Sequence, residues 1–160
     1  MEQMTLDERQ SLYRKIGYEV VQEINKVSVV TPFALVAAGL LSHDRRGISH
    51  DELGGIVNEF YDYLVTMPVK FAATFANRER AIADALNIFV STGIISKIEA
   101  LEEEEEMQEV VYSLDDAKRL NLEYYKNNIL HFFVSICFVA TSMVKNHEDT
   151  MSLAKVMGDY

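Results

Sequence analysis

The segment Pro32–Leu41 contains ten consecutive residues without a charged or hydrogen-bonding side chain. Thr31 precedes it, and Thr-Pro is a typical helix start because threonine caps the first turn and proline is tolerated at the first helical position. A helix that is apolar on every side has to be surrounded by other elements. We therefore expect this helix to lie at the centre of the core, with the rest of the chain arranged around it.

The rest of the chain favours long elements over loops. Only two prolines and seven glycines occur in 160 residues, and 49% of the residues are hydrophobic, which is enough for one sizeable core. We predict a single domain over residues 1–160. Its parts are an N-terminal helix and linker (1–30), a core (31–113), a long C-terminal helix (114–145) and a tail (146–160).

The N-terminal segment predicts an amphipathic helix from Leu6 to about Asn25. Its apolar residues recur every four positions, with charged residues between them: Leu12, Ile16, Val20 and Ile24. The β-branched run that follows, residues 27–30, favours an extended conformation. The segment therefore predicts a helix joined to the core by a short extended linker.

Two further helices and a hairpin complete the predicted core. Ser49 and Glu52 have the spacing of a capping box, and the helix that they begin would end before Met67-Pro68. The next helix begins near Asn77 and ends at Gly93. The β-prone segments 94–98 and 109–113 flank a charged turn. The order helix, short strand, helix, helix, hairpin predicts a mainly α fold with a winged-helix-like core of three helices and a small β-hairpin.

The predicted C-terminal helix has an almost wholly apolar second half, residues 129–144. One interpretation of residues 132–144 is a core helix packed between the N-terminal and second helices. We favour it because the segment lacks the basic face of an interfacial helix. The other interpretation is an exposed surface that contacts a membrane or a partner domain. In that case Phe132, Phe133 and Phe138 are the candidate contact residues, and the helix could also pair with a second copy of the chain.

The net charge of −10 argues against general nucleic-acid binding, which needs a basic surface. Arg78 and Arg80 begin the third core helix, where a winged-helix DNA reader places its contacts. Glu79 lies between them, and the acidic run 102–106 in the predicted wing would repel phosphate. A stand-alone winged-helix regulator or protein-interaction module is our alternative hypothesis for the function of this chain.

Two His-Asp pairs, His43-Asp44 and His50-Asp51, carry residue types that bind divalent metals. Their spacing matches no familiar site, so a metal-dependent hydrolase ranks last among our hypotheses. His131 and Cys137 lie in the apolar stretch and are interpreted as buried structural residues, with Asn127 or Asn128 as the histidine's hydrogen-bond partner.

We assign no catalytic, metal-binding or cofactor-binding residue to this sequence. The lone cysteine cannot form an internal disulfide, which favours a reducing compartment, and the polar start of the chain does not resemble a signal peptide. Both features predict a cytoplasmic protein.

Two stretches of the sequence are distinctive enough to be compared with known protein families. The first, residues 23–37, reads EINKVSVVTPFALVA; the second begins with Tyr112-Ser113-Leu114 and continues over residues 119–133, RLNLEYYKNNILHFF. With Gly47-Ile48-Ser49 and Gly93-Ile94-Ile95 they resemble one region of a known family across most of residues 10–145. That region lies downstream of the catalytic domain in glycerol-3-phosphate acyltransferases of the bacterial membrane-bound type and their dihydroxyacetone-phosphate relatives.

The resemblance implies a supporting role in phospholipid biosynthesis. Enzymes of that family transfer a fatty acyl group from a thioester to the 1-hydroxyl of glycerol 3-phosphate, using a histidine base and an aspartate separated from it by four residues. The residues five positions after the four histidines of this chain are not aspartates: Ile48, Gly55, Ile136 and Ser152. We therefore expect a non-catalytic C-terminal domain whose partner is the acyltransferase domain or a membrane surface. It would be cytoplasmic, or peripheral at the inner membrane face.

Overall fold

The computed structural model describes residues 4–43, 45–101 and 108–146. Six α-helices account for most of these residues: α1 (Leu6–Val27), α2 (Pro32–Leu41), α3 (His50–Val65), α4 (Arg78–Ser91), α5 (Arg119–Asn127) and α6 (Leu130–Asn146). Five short strands join them: β1 (Val29–Val30), β2 (Gly47–Ser49), β3 (Lys70–Phe71), β4 (Ile95–Leu101) and β5 (Gln108–Leu114). The chain is mainly helical, as predicted, and it contains two small sheets.

The larger sheet has the antiparallel strand order β2-β5-β4. The predicted hairpin is confirmed as β4 and β5, with Ile98 opposite Val111. Residues 47–49 form the third strand, in which Ile48 lies opposite Tyr112. The smaller sheet pairs β1 with β3 in parallel. Its second strand was not predicted, because two residues are too few to show a period.

Helix α2 lies at the centre of the core, as predicted. Nine of its ten residues are buried. The Thr31 hydroxyl caps the helix by accepting a hydrogen bond from the Ala34 amide at 3.2 Å. At its first turn the Phe33 ring contacts Phe89 of α4 at 5.6 Å and Tyr125 of α5 at 5.8 Å between ring centroids. Helix α2 therefore connects the N-terminal, middle and C-terminal parts of the chain.

The predicted helix ends are confirmed. The Ser49 hydroxyl accepts a hydrogen bond from the Glu52 amide at 3.2 Å at the start of α3. The side-chain carbonyl oxygen of Asn77 accepts one from the Arg80 amide at 3.0 Å at the start of α4. Gly93 follows α4 with φ of 69°, the left-handed conformation that favours glycine. The capping residues in the sequence therefore predict the starts of both helices correctly.

The prediction of one long helix over 114–145 is wrong. A 3₁₀ turn covers Asp116–Lys118, and α5 and α6 form a pair bent by 94°. Asn128 and Ile129 lie between them, and their amides bond to the carbonyls three residues back, at Tyr125 and Lys126. These tighter bonds end the α-helical pattern. Ile129 is fully buried, so the bend places its side chain in the core.

The prediction that the apolar stretch 132–144 packs as a core helix is also wrong. Past its first turn, α6 leaves its large apolar side chains partly exposed, among them Val134, Ile136 and Phe138 at 41–43%. Cys137, interpreted as a core residue, is exposed. Because the 94° bend turns α6 away from α5, its middle turns do not enter the core formed by α2.

His131 lies in the first turn of α6 and is half-buried. Its Nε2 atom is buried without a hydrogen-bond partner, so the predicted bond to Asn127 or Asn128 does not form there. The Phe132 ring lies 3.9 Å away between ring centroids. This burial lowers the pKa of His131 below its usual value of 6.5, because a charged ring would lose solvation without gaining a partner.

We predict opposite effects for alanine at two helical glycines. A Cβ at Gly39 would lie 2.9 Å from Val57 Cγ2 and 3.0 Å from Leu53 Cδ1, where α2 crosses α3, whereas a Cβ at Gly55 would contact nothing within 4 Å. Gly39→Ala should therefore lower the free energy of unfolding by about 1 kcal/mol, because overcrowding exceeds the gain in helix propensity. Gly55→Ala should raise it by about 0.5–1 kcal/mol. Equal stabilisation by both, measured by urea unfolding, would contradict this account of the crossing.

We further predict that His131 makes stability depend on pH. The folded-state pKa is lowered, so the unfolded state binds more protons below about pH 6.5. The contribution of the neutral ring is complete above that pH, is lost as the pH falls through it, and stops changing below the folded-state pKa. The difference in thermal midpoint between wild type and His131→Phe should therefore change between pH 7.5 and pH 5. A constant difference would contradict the lowered pKa.

Candidate interaction surface

Helix α1 is well formed, yet none of its residues is buried. Thr5 and Glu8 form a capping box: the Thr5 hydroxyl accepts from the Glu8 amide at 3.3 Å, and the Glu8 carboxylate accepts from the Thr5 amide at 2.7 Å. These bonds to Thr5 lower the pKa of Glu8. The apolar residues predicted at four-residue spacing, here called the α1 stripe, are 40–57% exposed: Leu12, Ile16, Val20 and Ile24.

The α1 residues that lie near the rest of the domain are polar and belong to its last turns. Asn25 is the one α1 residue that is half-buried rather than exposed. It lines a cavity together with Gln22 and Lys26, opposite Met67 in the α3–β3 connection and Phe132 of α6. Surface helices ordinarily turn their apolar face towards the core. In this chain the α1 residues that line the cavity are polar, and the α1 stripe stays exposed.

The three candidate phenylalanines of α6 occupy two different environments. Phe133 packs on α3, with ring centroids 5.2 Å from Phe60 and 5.4 Å from Tyr63, and Phe132 lines the cavity beside α1. Phe138, two turns later, is 41% exposed. The first two therefore attach α6 to the domain, whereas Phe138 lies on its exposed part.

The two His-Asp pairs have separate roles as far as the structure describes them. His43 Nδ1 accepts a hydrogen bond from the Arg45 amide at 2.9 Å, and His50 Nδ1 lies 3.2 Å from the Tyr112 hydroxyl. Burial raises the pKa of Tyr112, since the phenolate would be poorly solvated. Asp44 lies outside the described residues. Among those that are described, no three His, Cys, Asp or Glu residues are grouped so as to hold a metal ion.

The arginines at the start of α4 are paired with carboxylates. Arg78 lies 3.3 Å from Asp62, with its guanidinium 4.8 Å from the centre of the Tyr61 ring, and Arg80 lies 3.7 Å from Asp84. The acidic run 102–106 of the predicted wing lies outside the described residues. Because the nearby carboxylates offset both charges, the start of α4 does not provide the basic surface of a DNA reader.

One cluster of basic residues was not predicted from the sequence. Arg45 and Arg46, in the turn before β2, line a cavity with Arg119, at the start of α5. The adjacent arginines were the only local signal, since residue 119 lies more than seventy positions away along the chain. Pairing of β2 with β5 brings these segments together.

No single helix of the described part has both the length and the hydropathy of a membrane span. Helices α5 and α6 reach those values only as the bent pair already described.

Comparison with known proteins identifies the family. The model of the glycerol-3-phosphate acyltransferase C-terminal region matches residues 1–160. A glycerol-3-phosphate acyltransferase of Aeromonas hydrophila is 30% identical over 121 residues, covering 76% of this chain and 14% of the relative. The corresponding proteins of Shewanella amazonensis and Pseudomonas aeruginosa are 25% and 24% identical, covering 83% and 91% of this chain.

The chain spans only 14–17% of the length of these relatives. No solved structure matches it. The family match and the relatives nevertheless agree with each other and with the resemblance noted in the sequence. This chain therefore belongs to the family of glycerol-3-phosphate acyltransferase C-terminal regions.

Proposed function

We propose that this chain is the non-catalytic C-terminal domain of a glycerol-3-phosphate 1-O-acyltransferase. In this role it supports and positions the acyltransferase domain during phospholipid biosynthesis. The observation that carries the proposal is the exposed α1 stripe, in a chain that corresponds to about a sixth of its relatives. An apolar helix face left exposed by its own domain needs another surface to cover it.

The proposal assigns the chemistry to the acyltransferase domain. Acyl transfer to a hydroxyl needs a group that removes its proton, and the resemblance assigns that role to a histidine with an aspartate five positions later. None of the four histidines of this chain has that aspartate. His43 instead accepts a hydrogen bond from the Arg45 amide, and His50 lies beside the Tyr112 hydroxyl. Both are structural contacts.

We infer that the core over residues 31–113 is a winged-helix-like scaffold. Helices α2, α3 and α4 with the strand order β2-β5-β4 support this inference. The carboxylates paired with Arg78 and Arg80 favour a scaffold over a DNA reader. In this arrangement the core holds α1 and α6 at fixed positions, and these helices provide the contact surfaces.

The proposed partner of the α1 stripe is the acyltransferase domain of the same protein. A helix of 22 residues is about 33 Å long, which is sufficient to cross a typical domain interface. Phe138 on α6 is proposed as a second contact, while Phe132 and Phe133 fix the direction of α6. The domain would then be cytoplasmic and reach the inner membrane face as part of the enzyme.

The first prediction from this proposal concerns activity. The purified 160-residue chain should give no acylated product from glycerol 3-phosphate and a long-chain acyl thioester. The reading frame that carries it should encode a His-x-x-x-x-Asp motif upstream, and the protein from the complete frame should be active. Product formed by the 160-residue chain, or a frame without that motif, would refute the proposed division of roles.

A second prediction concerns the α1 stripe. In the protein from the complete frame, Ile16→Glu with Val20→Glu should lower acyltransferase activity about tenfold or more, because two carboxylates would be buried without partners. The same pair in the 160-residue chain should leave the thermal midpoint unchanged, since α1 buries no residue. Ser11→Glu, on the polar side of α1, is the control for one added charge and should change neither measurement.

The same variants distinguish other occupants of the α1 stripe. If the pair of substitutions leaves activity unchanged but abolishes binding of the 160-residue chain to anionic vesicles, a membrane covers the stripe and our assignment is wrong. If it instead converts a dimer of the 160-residue chain to a monomer, measured by sedimentation, a second copy covers the stripe.

A further inference from the structure

The cavity between the turn before β2 and the start of α5 concentrates positive charge in an acidic chain. Arg45, Arg46 and Arg119 line it, and these are three of the seven arginines in a protein whose net charge is −10. Asp116 is the one carboxylate among the described residues that line this cavity. The cavity is therefore a local positive site on a molecule that otherwise repels anions.

Backbone hydrogen bonds hold the turn in place without using the guanidinium groups. The Arg46 carbonyl accepts from the Ser113 hydroxyl at 3.1 Å and from the Leu114 amide at 3.3 Å. The Arg45 amide donates to His43 Nδ1 at 2.9 Å. Because main-chain atoms make these bonds, the cavity wall is fixed while the two guanidinium groups stay available for a ligand.

Two of the three arginines have no carboxylate partner within the described part of the chain. None of the ion pairs found there includes Arg45 or Arg46, whereas the exposed arginines of α4 are both paired. The third, Arg119, lies 3.9 Å from Glu123, a distance too long for a hydrogen bond. The cavity thus retains more positive than negative charge.

An observation independent of charge comes from His43, which also lines the cavity. Its side chain is only 8% exposed, and Nε2 is buried without a hydrogen-bond partner. Nδ1 lies 2.9 Å from the Arg45 amide and 3.2 Å from the Arg45 carbonyl, so it bonds to Arg45 in either neutral tautomer, and no such bond is made by Nε2. Glu52 lies 3.9 Å from that atom, beyond hydrogen-bonding distance. The buried ring of His43 therefore fixes the position of the turn that carries Arg45.

We propose that this cavity binds a phosphate-type oxyanion through Arg45, Arg46 and Arg119. Guanidinium groups match the geometry of phosphate oxygens, and three of them favour a dianion over a carboxylate. The ligand is the phosphate of a soluble monoester or of a lipid headgroup, which share this chemistry. The inference does not depend on the docking role proposed for α1, because it uses different residues.

The test titrates the purified 160-residue chain with inorganic phosphate at low ionic strength and follows backbone amide signals by NMR. We expect saturable shifts at residues 45–47 and 119, with affinity about tenfold lower in Arg46→Gln and in Arg119→Gln. Arg14→Gln, an exposed arginine of α1, is the charge-matched control and should bind as wild type does. Sodium chloride at equal ionic strength should not reproduce the shifts.

Vesicles distinguish the two sources of phosphate. Stronger binding to phosphatidic acid vesicles than to phosphatidylcholine vesicles, lost in Arg46→Gln but not in Arg14→Gln, would support a lipid headgroup. Saturable phosphate binding without that vesicle preference would support a soluble monoester. Thermal midpoints of the variants should equal that of wild type, because the bonds at Arg46 use its main chain. No saturable binding of either probe, or equal weakening in all three variants, would overturn the proposal.

Discussion

The burial of α2 is the interaction on which the other elements depend. With nine of ten residues buried, this helix has no side facing solvent, so α3, α4 and α5 must all pack against it. The ring contacts of Phe33 with Phe89 and Tyr125 join helices that are far apart in the sequence. In the larger sheet, Ile48 on β2 and Tyr112 on β5 lie opposite each other and belong to the same buried core.

The elements that the sequence predicted are those specified by local chemistry. Thr31, Ser49 and Asn77 accept hydrogen bonds from amides three residues later, and Gly93 adopts the positive φ that ends α4. Each depends on residues within one turn, so a short motif is sufficient to predict it. The family resemblance was likewise carried by short runs of sequence, chiefly residues 23–37 and 119–133, and the family match confirms it.

Features that depend on distant contacts could not be predicted in the same way. Residues 114–145 show a continuous helical period, and the break at Asn128–Ile129 depends on whether Ile129 reaches the core, which the period does not specify. Periodicity predicted that α1 is amphipathic but not that its apolar stripe would stay exposed. The cluster of Arg45, Arg46 and Arg119 exists because β2 pairs with β5, a contact between segments more than sixty residues apart.

The residue types of α1 indicate whether another surface covers this helix. Helix α1 gains no core burial, so its helical conformation rests on the capping box at Thr5 and on intrinsic propensity. A β-branched stripe of Ile16, Val20 and Ile24 weakens that propensity and is not favoured where solvent alone surrounds it. Exposed glutamate or lysine would suit an isolated helix better. The residues present are those that suit a buried surface, so the sequence of α1 fits a helix covered by another domain.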